Sequence, residues 1–184
     1  MPEKTLNVLN LPNTLTIARI LMVPFFIAAL LYRYNQYALA LFIAASLTDI
    51  LDGVVARMSN QKTRFGEVLD PIADKLLMMS SFVIFAILGW VPLWLSITVL
   101  SRDIIVMTGT VILYLSTGML VVQVTRTGKL TIALQVALLA YILIRVNYLG
   151  DAGSPMFFYL LVLISTAASG VQYIMKGLKL AGDN

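Results

Sequence analysis

Four aspartates are the residues of this sequence whose type and spacing could do chemistry: Asp49, Asp52, Asp70 and Asp74, out of nine acidic residues among 184. The first two are three positions apart and the last two are four apart, so on helices each pair shares one face. Carboxylates clustered in an apolar setting repel one another and are costly to desolvate unless a cation joins them. The spacing predicts an oxygen-liganded site for Mg²⁺ or Mn²⁺, and two such ions would suit phosphoryl transfer.

Two other interpretations of the acid cluster are open. The first is a structural salt-bridge network with Arg57, Lys75 and Arg102, although four converging acids exceed what nearby bases neutralise. The second is an ion pathway in a channel or carrier, for which discontinuous helices at mid-membrane would be expected. Gly53 and Ala56 lie on roughly the same face as the first acid pair. They would serve either close helix packing or a flat ligand against the backbone.

The missing residue types narrow the chemistry. The chain has no Cys, which excludes a thiolate nucleophile, a disulfide and an iron–sulfur site. It has no His, which removes the usual general base and the commonest zinc ligand. Any reaction must therefore use carboxylates, Lys, Arg, hydroxyls or bound metal. We attribute the net charge of +4 to anionic lipid headgroups and topology, and expect no nucleic-acid partner.

The amino-acid composition indicates which kind of secondary structure positions the four aspartates. Hydrophobic residues make up 60% of the chain and charged residues 12%, with a mean hydropathy of +0.91. Soluble domains have about 45–50% hydrophobic and about 25% charged residues, so an ordinary soluble enzyme is excluded. A disordered chain is excluded as well, because disorder requires low hydrophobicity. The pattern predicts an all-α integral membrane protein with six transmembrane helices after a short N-terminal interfacial helix. We expect one membrane domain over residues 1–184.

The apolar runs predict where these helices lie. The interfacial helix is expected at residues 2–11, followed by a break at Pro12 and Asn13, and no cleavable signal peptide is expected. Turns are expected at Asn35-Gln36, at Gly89 to Pro92 and at residues 149–155. Loops are expected at residues 59–66 and 116–128. The six spans are predicted at residues 15–34, 37–58, 67–88, 93–115, 129–148 and 156–175.

Basic residues predict the orientation. With the N-terminus inside, eight basic residues lie at the inner segments and span ends and two, Arg33 and Arg145, at the outer ones, while Arg19, Lys75 and Arg102 lie within spans and are not counted. This excess predicts both termini in the cytoplasm, and places the acid pairs at the cytoplasmic ends of the second and third helices. We expect the inner membrane of a bacterium and an active site facing the cytoplasm. The inner residues are Lys4, Arg57, Lys62, Arg64, Arg126, Lys129, Lys176 and Lys179.

The acid pairs belong to a longer pattern. Asp49, Asp52-Gly53 and Ala56-Arg57 are followed after eight residues by Gly66, and then by Asp70 and Asp74, which gives DxxDGxxAR-x8-GxxxDxxxD. This resembles the signature of the CDP-alcohol phosphotransferases, with no departure. The resemblance implies a membrane enzyme, usually a homodimer, in which an acceptor hydroxyl displaces CMP from a CDP-linked donor with two divalent cations.

The resemblance also implies roles for individual residues. Asp49, Asp52, Asp70 and Asp74 would be the metal ligands, and Asp74 would also be the general base. The donor would be bound by Asp52, Gly53, Ala56, Arg57 and Gly66. Membrane prenyltransferases of the aromatic type also use aspartate clusters on two helices, but they typically have more spans, and the DG and AR pairs fit them less well.

Further stretches favour one branch of the family. Leu11-Pro12-Asn13 near the start, and residues 64–76 around the second acid pair, resemble phosphatidylglycerophosphate synthases. This implies transfer of a phosphatidyl group from CDP-diacylglycerol to sn-glycerol 3-phosphate. Basic residues must then hold the acceptor phosphate. The candidates are Arg102, Arg126 and Lys129.

Each acceptor candidate has a second interpretation. Arg102 would instead pair with Asp103 or with the metal-site acids, and the other two would be ordinary positive-inside charges. The pair Arg102-Asp103 also departs from the Arg-Glu common in that branch. It resembles the cardiolipin synthases of the same superfamily, whose acceptor is phosphatidylglycerol, and this is the alternative function.

Overall fold

The structure is a computed structural model that describes residues 11–59, 64–117, 126–150 and 155–182. Those residues form six α-helices and one short π-helical turn, so the predicted all-α class is confirmed. The expected interfacial helix at residues 2–11 lies outside the described residues, except for Leu11. The helices are α1 Leu11–Leu31, α2 Asn35–Ser59, α3 Arg64–Ile87, α4 Leu93–Thr117, α5 Arg126–Ile144 and α6 Met156–Gly182, with the π-helical turn at Arg145–Leu149.

Within the described part of the chain, four helical segments are long and apolar enough to cross a membrane. A shorter apolar segment, Lys75–Ile87, lies in α3. A stretch of about 20 apolar residues spans the hydrocarbon core of a bilayer, so these helices indicate a multi-pass membrane protein. The four segments are Thr14–Leu31, Leu93–Thr110, Thr127–Leu149 and Met156–Lys176.

The Cα packing divides the chain into two compact units. The first consists of the described residues up to Ile84 together with Leu143–Gly150. In it α1 packs against α2, and the rings of Phe26 and Phe42 meet with centroids 6.1 Å apart. The π-helical turn is tied to the start of α2, because the Asn147 side-chain amide donates to the backbone oxygen of Asn35 at 3.1 Å.

The second unit consists of Phe85–Ile142 and the described residues after Gly150. In it α4 packs against α6. Polar side chains also link α5 to α6. The Thr131 hydroxyl lies 2.9 Å from the backbone oxygen of Ser165, and the Gln135 amide lies 3.4 Å from the Thr166 hydroxyl. Thr131, Gln135 and Thr166 are all buried, so these bonds satisfy polar groups inside the unit.

The turn between α1 and α2 differs from the prediction. We expected it at Asn35-Gln36, but α2 already begins at Asn35, and the chain turns at Arg33, which has a φ of 63°. The backbone N–H of Tyr34 donates to the oxygen of Ala29 at 2.8 Å, and that of Arg33 to Leu30 at 3.1 Å. This pair of bonds is a Schellman motif, which ends a helix through its backbone and does not require a polar turn sequence.

The turn predicted at Gly89 is confirmed and uses the same motif. Gly89 has a φ of 73°, and the Trp90 N–H donates to the oxygen of Phe85 at 2.8 Å. The rings of Trp90 and Phe85 stand edge to face with centroids 5.2 Å apart, the apolar contact that commonly accompanies this motif. The end of α3 is therefore fixed by backbone and side chain together.

Other boundaries differ by a few residues. The break expected at Pro12-Asn13 is wrong, since both residues lie in the first turn of α1, where a proline removes no helical hydrogen bond. The helices α3 and α5 begin at Arg64 and Arg126, earlier than predicted, and α6 reaches Gly182. Hydropathy places an end where the apolar run stops, but helical hydrogen bonding continues past that point.

Candidate active site

The two acid pairs lie on continuous helices. Positions 49 and 52 belong to α2, and positions 70 and 74 to α3. The helical spacing that brings each pair to one face is therefore present. The structure describes the backbone at these positions, while the aspartate side chains lie outside its described residues.

In α2 the first acid pair continues a buried stripe. Ala38, Phe42 and Ala45 are at most 2% exposed and follow one another at intervals of four and three residues. Continuing the same intervals gives positions 49, 52 and 56. The candidate metal-binding positions of α2 are therefore in register with the interior face of their helix.

The second acid pair is likewise in register with a buried stripe, in this case on α3. Ala73, Leu77 and Ser81 are buried, and the Ser81 hydroxyl donates to the backbone oxygen of Leu77 at 2.7 Å. Positions 70 and 74 fall on this stripe, at three residues before Ala73 and Leu77 respectively. Both acid pairs are thus in register with interior faces.

The acid pairs also lie near helix ends that are neighbours in sequence. Asp52 is about two turns before Ser59, where α2 ends, and Asp70 is about two turns after Arg64, where α3 begins. The donor-binding candidates Arg57 and Gly66 lie in the last turn of α2 and the first turn of α3. The predicted metal-binding and donor-binding residues are therefore carried by the end of α2 and the start of α3, which follow one another along the chain.

The chemistry of this donor set fits hard divalent cations. It consists of carboxylates alone, and the chain contains neither His nor Cys. Oxygen ligands of this kind suit Mg²⁺ or Mn²⁺. Among the side chains that the structure describes, no group of three or more acidic residues gathers. The four aspartates lie outside that set.

Arg102 is held in a buried polar cluster between α4 and α6. Its side chain is 6% exposed, and its Nη1 lies 2.7 Å from the Asp103 carboxylate, so the predicted pairing with Asp103 is confirmed. Its Nη2 donates to the Ser169 hydroxyl at 2.7 Å, and its Cζ lies 5.4 Å from the centroid of the Tyr173 ring. The phosphate-binding role of Arg102 stays a prediction.

The other two acceptor candidates lie at the start of α5. Arg126 is its first residue, and its side chain is outside the described set. Lys129 is exposed, one turn further on. Among the described residues, Arg102 contacts side chains of α4 and α6, and these contacts do not include Lys129.

Sequence reasoning missed the α6 residues of this cluster, Ser169 and Tyr173. They are four residues apart, and thus on one face of an otherwise apolar helix. That spacing could have indicated a polar patch on α6 from the sequence alone. Their partner, however, lies 67 residues from Ser169 along the chain, and local spacing does not reveal such a contact.

Comparison with known proteins identifies the family. The sequence model of the CDP-alcohol phosphatidyltransferase family matches residues 9–172, which extend through both compact units. The chain therefore belongs to the CDP-alcohol phosphatidyltransferase family, and the resemblance noted in the signature is confirmed.

Curated relatives carry two kinds of name. The chain is 34% identical to the CDP-diacylglycerol–glycerol-3-phosphate 3-phosphatidyltransferase of Escherichia coli (90% of this chain, 93% of the relative). It is also 34% identical to the Bacillus subtilis protein of that name (74% and 77%). A putative cardiolipin synthase of Mycobacterium tuberculosis is 36% identical over 66% of this chain, which spans 58% of that relative's length.

Proposed function

We propose that this protein transfers a phosphatidyl group from CDP-diacylglycerol to sn-glycerol 3-phosphate, giving phosphatidylglycerophosphate and CMP. The observation that carries the proposal is that both acid pairs of the family signature are in register with the buried stripes of α2 and α3. The names of the Escherichia coli and Bacillus subtilis relatives support the choice of donor and acceptor.

The placement in the membrane is part of the proposal. We infer six membrane spans, one for each of α1–α6, with an interfacial segment before them, in the inner membrane of a bacterium. The excess of basic residues on the predicted inner side supports an active site that faces the cytoplasm. The family match over residues 9–172 supports one functional domain over residues 1–184. We also propose a homodimer, as the family resemblance implies.

Asp49, Asp52, Asp70 and Asp74 would hold two divalent cations, Mg²⁺ or Mn²⁺. When bound, the cations would neutralise the donor diphosphate, stabilise the CMP leaving group and acidify the acceptor hydroxyl. Without cations, four carboxylates on interior faces would repel one another. The proposal therefore predicts a strict dependence on divalent metal.

The chain's own residues would then perform three tasks. Asp74 accepts the proton of the acceptor hydroxyl, whose oxygen forms the new bond to the phosphatidyl phosphorus while the bond from that phosphorus to the CMP oxygen breaks. Arg57 binds the diphosphate, since its guanidinium matches phosphate geometry. Gly53 and Ala56 leave room for the cytidine beside Asp52, and Gly66 lets the donor approach the start of α3.

The acceptor phosphate needs cationic partners on the same side of the membrane. We propose Arg102, Arg126 and Lys129 for this role. Arg102 is fixed and buried, and Lys129 is exposed at the start of α5. A buried guanidinium with few competing water molecules binds phosphate more strongly than an exposed one.

The second candidate function is that of a cardiolipin synthase, which uses phosphatidylglycerol as the acceptor. The name of the mycobacterial relative favours it, as does the aspartate that pairs with Arg102. Both functions use the same donor, release CMP and need an acceptor that carries a phosphate.

The test is CMP release from CDP-diacylglycerol by the purified protein in detergent, with glycerol 3-phosphate and phosphatidylglycerol offered in separate reactions. We expect release with glycerol 3-phosphate, and its loss when EDTA removes the metal. Release with phosphatidylglycerol alone would establish the second candidate. Release with neither acceptor would refute both.

A further inference from the structure

We propose that Ser169 and Tyr173 of α6 are positioning residues that hold the Arg102 guanidinium ready for the phosphate of the acceptor. The inference rests on the proposed function, and it applies to glycerol 3-phosphate and to phosphatidylglycerol alike, since both acceptors carry a phosphate. It assigns to α6 a part in acceptor binding that the signature on α2 and α3 does not contain.

The geometry fixes the guanidinium from three sides. Asp103 lies at Nη1 and Ser169 at Nη2, each at 2.7 Å, while the Tyr173 ring lies 5.4 Å from Cζ. An arginine side chain has many rotamers, and holding it in one of them before the ligand arrives removes an entropic penalty from binding. Two edge contacts and one face contact leave the plane of the group little freedom.

The fold also brings the stem of Arg102 against α6. A Cβ added at Gly170 would lie 3.5 Å from the Arg102 Cγ, which is ordinary van der Waals contact. The backbone of α6 at Gly170, between the two positioning residues, therefore faces the stem of Arg102. The Arg102 stem thus lies beside the α6 backbone, and its charged end contacts Ser169 and Tyr173 of the same helix.

The guanidinium still has an unused donor. Among the described residues, the Nε of Arg102 has no hydrogen-bond partner, although it is buried. A guanidinium offers five N–H donors, and a buried donor without a partner is unfavourable, so a water or ligand oxygen normally meets it. An acceptor phosphate oxygen at Nε would satisfy this donor while Nη1 and Nη2 keep their bonds to Asp103 and Ser169.

Asp103 and Ser169 make different contributions to the cluster. Asp103 neutralises the charge, and its removal would leave a buried cation unpaired, which disturbs folding. The Ser169 hydroxyl is neutral, so its removal changes the orientation of Arg102 but not the charge balance. Ser169 is for this reason the informative position for mutation.

The test compares matched variants in the CMP-release assay, with each acceptor. Ser169→Ala removes the hydroxyl that contacts Arg102, whereas Ser165→Ala removes one that donates to Val162 of its own helix at 3.0 Å. Tyr173→Leu removes the ring, whereas Tyr173→Phe keeps it. The measured quantities are KM for the acceptor, KM for CDP-diacylglycerol, kcat and the thermal unfolding midpoint.

Ser169→Ala loses a hydrogen bond to a charged group and Tyr173→Leu loses a cation–π contact, and we expect each to raise the acceptor KM about tenfold. The donor KM and kcat should stay within about twofold, because the lost interaction concerns acceptor binding alone. Ser165→Ala and Tyr173→Phe should resemble wild type. The acceptor that shows the effect identifies the source of the phosphate.

The proposal is overturned if Ser169→Ala matches Ser165→Ala in acceptor KM while wild type is active. It is also overturned if Ser169→Ala lowers only the unfolding midpoint and kcat, since that result describes a structural tie between α4 and α6. Wild type that is inactive with both acceptors would instead refute the proposed function, and this inference with it.

Discussion

Asp74 is the residue on which the proposed reaction depends most directly. In the proposed reaction it is both a metal ligand and the base that accepts the acceptor's proton, and position 74 is in register with the buried stripe of α3. A carboxylate is a weak base by itself, with an ordinary pKa near 3.9. It would suffice in the proposed site, because a metal-bound hydroxyl is more acidic than a free one.

Replacing Asp74 by Asn tests this role. The amide is nearly isosteric but neither accepts the proton in the same way nor carries charge, so we expect kcat to fall by about 10²–10⁴-fold. The fold should be retained, which an unchanged unfolding midpoint in detergent would verify. Near-full activity of Asp74→Asn would show that the base is assigned wrongly.

Ser80→Ala is the matched control on the same helix. Its hydroxyl donates to the backbone oxygen of Leu77 at 3.0 Å, within α3. Its removal should leave kcat within about twofold of wild type, since substitution of a half-buried residue outside the proposed active site has little effect. A loss equal to that of Asp74→Asn would point to a general disturbance of α3.

At the scale of the helices, the turn at Gly89 contributes to the stability of the protein. The left-handed conformation of Gly89 ends α3 and directs the chain into α4. An added Cβ there would meet no atom within 4 Å, so Gly89→Ala should be strained only through its backbone. We expect a loss of about 1–2 kcal/mol in the free energy of unfolding.

Gly109→Ala is the control for Gly89→Ala. It also meets no atom within 4 Å, but it lies inside α4 with an ordinary helical φ. It should stabilise the protein by about 0.5–1 kcal/mol, because alanine favours helix over glycine. Equal effects of both variants on the chemical unfolding curve would contradict the assigned turn.

The polar contacts between α5 and α6 should stabilise their packing. Thr131→Val removes a buried hydroxyl that lies 2.9 Å from the Ser165 oxygen and replaces it by a methyl of similar size. We expect a destabilisation of about 0.6–1.7 kcal/mol, from the average to the largest value measured for hydrogen bonds between membrane helices.

Thr98→Val serves as the comparison for Thr131→Val. Its hydroxyl donates to the backbone oxygen of Trp94 at 2.8 Å within the same helix, so its removal breaks no hydrogen bond between two helices. The unfolding midpoint of this variant should stay close to that of wild type. If both valine variants behave alike, the contact between α5 and α6 contributes nothing measurable.

The apolar runs of the sequence predicted the six helices that the described residues form, although several helix ends differ. The turn at Arg33 was placed too late, since a Schellman motif is formed by backbone groups and here uses a non-glycine residue. For the site, the spacing of the aspartates predicted their shared faces. The contacts of Ser169 and Tyr173 with Arg102 arise from tertiary packing, which residue spacing within one helix does not encode.

At the scale of the whole molecule, the proposed orientation puts the acid-bearing helix ends at the cytoplasmic surface. The chain has no cysteine, so single cysteines can be introduced without background. Gln61→Cys marks the predicted inner connection between α2 and α3, and Tyr148→Cys marks the outer side at a position that is 70% exposed. A membrane-impermeant maleimide in intact spheroplasts reports which side each occupies.

We expect Tyr148→Cys to react in intact spheroplasts and Gln61→Cys to react only after permeabilisation. This follows from the excess of basic residues at the predicted inner connections. The reverse labelling pattern would contradict an active site that faces the cytoplasm. Each variant must retain CMP release, so that the labelled protein is the folded one.

The most direct measurement of the central claim is the stoichiometry of the reaction. Purified protein would receive CDP-diacylglycerol, labelled glycerol 3-phosphate and Mg²⁺ or Mn²⁺, and both CMP and the label in extracted lipid would be counted. The proposed displacement predicts one CMP released for each glycerol phosphate that enters lipid, and neither product in EDTA. CMP release without incorporation of the label, or incorporation that continues without metal, would contradict it.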